Sequence, residues 1–275
     1  YLKGMAGVSF FGLLNGFSSF ASLRIDAIMV NEFFDTAAVG IYTTTFHFGI
    51  LVILHSRALL KIASPLIAEA LKNEDKTTLN DIYYKSCINQ LLAGTFLLLG
   101  IWVNIDNVFI ILPPEFEAGK WVILYIGMAN IIKMSTGVSE ALMAYSRHYK
   151  MVTWFMLAFL VITIITNLIF IPIMGISGAA LASMVAVGIY GFMRFLFVKH
   201  HFGLQPYNTK FLIIPGLGLL TATLVYFIPH TLHYLADIAM RSTLATILFC
   251  ISIYLLRCSE EFNAALLHIW EKIKR

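Results

Sequence analysis

Residues 155–165 read Phe155-Met-Leu-Ala-Phe-Leu-Val-Ile-Thr-Ile-Ile165, and residues 91–101 read Leu91-Leu-Ala-Gly-Thr-Phe-Leu-Leu-Leu-Gly-Ile101. Neither run alternates apolar with polar side chains, so neither reads as a barrel strand with one face to lipid and one to a lumen. Each lies inside a longer apolar stretch, Met151–Ile173 and Ile88–Ile110. Such stretches reach the ~20 residues that a helix needs to cross hydrocarbon. A helix also satisfies its own backbone there, which an open strand cannot do. Six more apolar stretches flank these two: Val8–Asn31, Val39–Leu60, Trp121–Met143, Ala179–Phe197, Phe211–Ile228 and Ile238–Leu256. The expected fold class is an all-α integral membrane protein of about eight transmembrane helices.

Composition agrees. Of 275 residues 59% are apolar and 12% charged, and the mean hydropathy is +0.83. A soluble domain carries roughly 25% charged residues, so a soluble enzyme, a disordered tail and a collagen-like fibre are excluded. The net charge of +4 is too mild to point to nucleic acid. Cys87, Cys250 and Cys258 have no metal-ligand spacing and read as small apolar residues. No cofactor or metal is expected.

The basic residues give the direction. With the first loop outside, nearly all Lys and Arg flank the inner ends, Arg57, Lys61, Arg147, Lys150, Arg194 and Lys199 among them. Only Lys120 and Arg241 fall on the outer side, and Arg24 and Lys133 lie within spans. Inner flanks retain Lys and Arg, so both termini are expected in the cytoplasm. A chain that starts at Tyr1 without a signal peptide reads as the later part of a longer membrane protein. In the tail, Phe262, Ala265, Leu266, Ile269 and Ile273 share one helical face. Glu260 and Glu261 open that helix, while Lys272, Lys274 and Arg275 close it, which suits the helix dipole.

A charge in hydrocarbon costs ~2.5–3.5 kcal/mol on insertion scales, so Arg24, Asp26, His47, His55, Lys133 and Glu140 stand out. Asn15, Ser19, Ser22 and Asp26 are spaced by 4, 3 and 4 and form one polar stripe facing the bundle interior. Lys133 lies near the middle of its span. Two readings of it stand: a cavity residue that binds an anionic group, or a structural partner of a carboxylate. Asp26, His47 and Lys133 fall at similar depths, where they would exchange protons or form a silent ion pair. Glu140 lies seven residues beyond Lys133, on nearly the same face. Arg24 points to another face than Asp26, where it would bind an anion or reach the outer headgroups.

Two enzyme-like features are weak. Gly175-Ile-Ser-Gly178 matches the G-x-S-G string of intramembrane serine proteases, but the histidines that follow it, His200, His201, His230 and His233, lie at span ends or in a loop and none sits mid-span to serve as its base. Pro172, Gly175 and Gly178 read more simply as a hinge or tight turn between spans. A membrane glycosyltransferase would use acidic outer loops, and Glu32, Asp35, Asp106, Glu115 and Glu117 are there without a clustered pair.

Two strings carry a resemblance. They are Asp26-Ala-Ile-Met-Val-Asn31 with Ala38-Val-Gly-Ile-Tyr42, and Asn167-Leu-Ile-Phe-Ile-Pro172-Ile-Met-Gly175-Ile-Ser-Gly178-Ala-Ala-Leu-Ala-Ser183. Together with Ser64-Pro-Leu-Ile-Ala68 they resemble the second half of O-antigen or capsule polysaccharide flippases of the multidrug/oligosaccharidyl-lipid/polysaccharide superfamily. The resemblance implies a V-shaped, multidrug-exporter-like fold. Residues 1–200 would be its second six-helix lobe, 201–258 two added spans and 259–275 a cytoplasmic tail. It implies alternating-access transport of a lipid-linked (undecaprenyl pyrophosphate) oligosaccharide in the bacterial inner membrane, not enzymatic catalysis. Partners implied are that substrate, a proton or sodium ion, membrane lipids and polysaccharide-assembly proteins. Asp26 matches a position that is often acidic in the family. The expected roles are anionic head-group binding by Arg24 and Lys133, and ion coupling by Asp26, His47 and Glu140. The alternatives are a multidrug or cation antiporter of the same fold, a membrane glycosyltransferase, and an assembly scaffold without transport.

Overall fold

The computed structural model describes residues 2–229 and 233–273, without the side chains of residues 2–8, 10, 23, 269, 270 and 273. His230, Lys274 and Arg275 lie outside the described residues. The elements are α1 (Leu2–Phe33), α2 (Thr36–Ile50), a 3₁₀ turn (Leu51–Ile53), α3 (Ser56–Lys72), α4 (Lys76–Trp102) and α5 (Ile105–Ile111). A second 3₁₀ segment (Pro114–Gly119) leads into α6 (Lys120–Ser135), α7 (Ser139–Ala144), α8 (Tyr149–Phe202), α9 (Lys210–Tyr226), α10 (Tyr234–Leu255) and α11 (Glu260–Ile273). Among the described residues there is no strand.

Among the described residues three segments are long and apolar enough to cross a membrane: Thr36–Ile53, Tyr149–Phe202 and Tyr234–Leu255. A fourth arises if α4 and α5, bent by 54°, count as one. All eight apolar stretches are helical, but three of them are broken. Val39–Leu60 passes through α2, the 3₁₀ turn and the start of α3. Ile88–Ile110 bends between α4 and α5. Trp121–Met143 breaks between α6 and α7 at Gly137, whose φ is +54°. A Cβ there would stand 2.5 Å from Ser86 Oγ and 2.9 Å from the Cys87 backbone nitrogen. Glycine is thus required twice, by the backbone angle and by the approach of α4.

The helix α8 is a hairpin rather than a rod. Gly175 sits at φ 62°, ψ −141°, a conformation open to glycine alone. Contacts step away from this point in opposite directions. Thr166 Oγ1 donates to the Ala182 carbonyl at 3.2 Å, Phe159 packs on Tyr190 at 5.0 Å and His148 meets His201 at 4.9 Å. The arms touch most tightly near the tip. A Cβ on Gly178 would fall 2.1 Å from the Phe170 carbonyl oxygen. Pro172 is exposed just before the reversal.

The helices pack in the order α1, α8, α6, α4, α9 and α10, with α2 against α6 and α3 against α4. One apolar cluster joins α1, α2, α6 and α8 through Val30, Tyr42, Ile126, Ile171 and Ala180. A second joins α4 to α9 and α10 through Ile88, Leu91, Ile214 and Phe249. On the far side of α10, Ser259 caps α11 by accepting from the Phe262 amide and donates to Asn89 Oδ1 at 2.6 Å. Phe262 packs on the second cluster, so this end of the tail is docked on α4.

Candidate functional site

Two polar sites interrupt the apolar packing. The first is centred on Asp26. The stripe with 4-3-4 spacing directs α1 toward α8, and Asp26 is 5% exposed. Its carboxylate accepts from Tyr42 Oη at 3.1 Å, Asn167 Nδ2 at 2.6 Å and Ser183 Oγ. These donors come from α2 and from both arms of α8, so one carboxylate ties three segments near the hairpin tip. Neither Lys133 nor His47 takes part. His47 is exposed and its Nδ1 lies against the Thr43 carbonyl of its own helix. The expected Asp26–His47–Lys133 level is therefore not assembled. Asp26 lies between α1 and α8, while Lys133 ends α6 elsewhere in the packing.

The second site lies at the break between α6 and α7. Thr136 closes α6 by donating through Oγ1 to the Lys133 carbonyl at 2.7 Å. Arg194, on the second arm of α8, bridges the break. One guanidinium nitrogen donates to Thr136 Oγ1 at 2.7 Å and another to Glu140 Oε2 at 3.1 Å, and the Tyr190 ring stacks 4.4 Å from the guanidinium carbon. Arg194 is 3% exposed, yet its Nε has no hydrogen-bond partner among the described residues. Glu140 is 43% exposed. The Lys133 side chain is exposed and within electrostatic reach of Glu140, Arg194 and Arg57. Lys133 thus lies within reach of two further cations and one carboxylate. Lys133 and Glu140 do not share one continuous helix face, because Gly137 separates their helices.

From Ser183 to Arg194 the second arm of α8 rises roughly 16 Å at 1.5 Å per residue, so the two sites occupy different depths. Arg24 is exposed, on another face of α1 than Asp26. His55 is partly buried with its Nδ1 unpartnered.

Sequence reasoning missed two buried arginines by assigning them to flanks. Arg194 is the first. The second is Arg241, which donates to Asp237 Oδ2 at 2.8 Å and to the carbonyls of Val225 and Ile228. Asn107 of α5 donates to the same Asp237 oxygen at 2.7 Å. This pair ties the ends of α5, α9 and α10 together and is structural. Spacing held a signal for both: Tyr190 and Arg194, like Asp237 and Arg241, are four residues apart and share a helix face.

Among the described residues no group of three His, Cys, Asp or Glu could hold a metal ion. Comparison with known proteins returns no matching family model, curated protein or solved structure.

Proposed function

We propose that this chain is a lobe of a membrane flippase that carries a lipid-linked oligosaccharide across the bacterial cytoplasmic membrane by alternating access. In this reading the eight apolar stretches all cross the bilayer, the broken ones as bent spans, with both termini inside. The observation that carries the reading is the charged break between α6 and α7. Non-helical backbone at membrane depth persists where it lines a cavity or is covered by protein, and broken spans form the binding sites of many transporters. Here Lys133, Arg57 and Arg194 outnumber Glu140, which suits an anionic cargo such as a pyrophosphate-linked sugar. A cationic drug would meet repulsion at the same place.

A second feature supports the reading. Tyr42, Asn167 and Ser183, which bond Asp26, stand at the ends of the strings that resemble polysaccharide flippases. Those strings thus meet at one carboxylate held only by neutral donors, a suitable site for an ion or a proton to act on the α8 hairpin. The assay is export of lipid-linked oligosaccharide by cells carrying Lys133→Ala. Lys133 is exposed, so the variant inserts and keeps its thermal stability while export falls. Normal export from a correctly inserted variant removes Lys133 from the mechanism.

A further inference from the structure

The amphipathic helix α3 and the turn that follows α7 border an open, shallow cleft of about 540 Å³. Arg57, Lys61, Ser64 and Ala68 line one wall at spacings of 4, 3 and 4, so they share one face of α3. Leu60, Pro65 and Tyr145 supply the rest of the lining. Both cations are exposed, and among the described residues neither pairs with a carboxylate. The Ser64 hydroxyl is engaged with the Leu60 carbonyl, so the cations are the cleft's charged donors. One helical turn apart, they are spaced to share a single phosphate. Next to the cleft, α3 exposes Ile62 at 71% and Leu66 at 48%. Such apolar exposure suits contact with acyl chains better than contact with water.

We propose that this cleft holds an anionic phospholipid of the surrounding leaflet. Its phosphate lies between Arg57 and Lys61, and its acyl chain runs along Leu60, Pro65, Ala68 and Tyr145. A water-soluble anion would gain nothing from the apolar wall, and a zwitterionic lipid brings a choline group against two cations. The site shares Arg57 with the charged break of the proposed cargo path, but it does not require transport, only that α3 meet the inner leaflet.

The test is native mass spectrometry of the purified full chain in detergent with phosphatidylglycerol, phosphatidylcholine of the same chains, and glycerol phosphate. Phosphatidylglycerol is retained in preference to phosphatidylcholine, and glycerol phosphate does not displace it. A membrane-surface Lys or Arg contributes enough that losing two weakens binding about 30-fold, so that is the change expected for Arg57→Gln/Lys61→Gln. The control Lys72→Gln/Lys76→Gln removes equal charge from the exposed α3–α4 connection and leaves binding unchanged. Four results overturn the proposal: retention by the double variant equal to the parent, an equal loss in the control, equal retention of phosphatidylcholine, or displacement by glycerol phosphate. A polyprenyl phosphate that binds where phosphatidylglycerol does not also overturns it, in favour of cargo.

Discussion

Replacing Asp26 separates two kinds of loss that usually travel together. In Asp26→Ala, Tyr42 Oη, Asn167 Nδ2 and Ser183 Oγ lose their common acceptor. Each buried donor left unpaired costs ~1–3 kcal/mol, so three reach ~3–9 kcal/mol. The loss falls toward the lower end, because a serine hydroxyl can turn back to a carbonyl of its own helix. Asp26→Asn behaves differently. Tyr42 and Ser183 both use Oδ2, whereas Asn167 uses Oδ1, and the Asn167 Oδ1 is itself buried without a partner. An amide at position 26 keeps its oxygen toward Tyr42 and Ser183 and turns its NH₂ toward Asn167. A flip of the Asn167 amide then supplies the acceptor. All three hydrogen bonds at position 26 are kept, and the flipped Asn167 NH₂ takes the place its Oδ1 held without a partner, so one unpaired group is exchanged for another and Asp26→Asn costs about 1 kcal/mol, near that of one buried hydrogen bond. Thermal denaturation of the detergent-purified variants, followed by size-exclusion chromatography, orders them: parent first, Asp26→Asn close beneath it, Asp26→Ala far below. An Asp26→Asn as unstable as Asp26→Ala would refute the exchange of hydrogen bonds, and a stable Asp26→Ala would refute the clamp.

Gly178→Ala drives a methyl into the Phe170 carbonyl, 2.1 Å away, and into backbone that cannot rotate aside; a loss of ~1–3 kcal/mol or more in the same assay is expected. Gly188→Ala, with nothing within 4 Å of the added carbon, gains up to ~1 kcal/mol from helix propensity instead. Equal effects at the two positions would contradict the close approach of the α8 arms. His148, in the turn before α8, is held below the ordinary histidine range by partial burial first, then by the charges of His201 and Arg147. The unfolded chain therefore binds the proton more readily, so this group's contribution to stability is complete above about pH 6.5 and is lost as the pH falls below it. An NMR titration of His148 with a midpoint under that of free histidine, raised in His201→Gln, is the expected result; a midpoint at or above it contradicts the arrangement.

What the sequence made legible and what it hid have a common cause. Long apolar runs without alternation specify helices because, closed barrels aside, no other element satisfies its backbone in lipid, and Gly175 with Gly178 marked the reversal that the hairpin makes. The breaks at Gly137 and at Leu51–Ile53 were hidden because apolar residues continue through them, and periodicity sees only the run. The inward face of Asp26 was readable from its stripe. Its partners were not, since Asn167 and Ser183 lie 141 and 157 residues away and tertiary packing alone chooses them. The pairing with Lys133 failed for the same reason: similar depth does not make two helices neighbours. Arg194 and Arg241 were read as flanks because an arginine near the end of an apolar run usually snorkels. Here the aromatic and acidic residues one turn earlier hold them inside instead.

For an anionic cargo to pass, the charged break must be open to water within the membrane. Labelling of a Lys133→Cys variant, its native cysteines replaced, by a membrane-impermeant thiol reagent in intact membranes tests this directly. Labelling there, slowed by added lipid-linked pyrophosphate, is the predicted result. A cysteine that reacts only after detergent is added would place this position against acyl chains and contradict the proposed path for an anionic cargo.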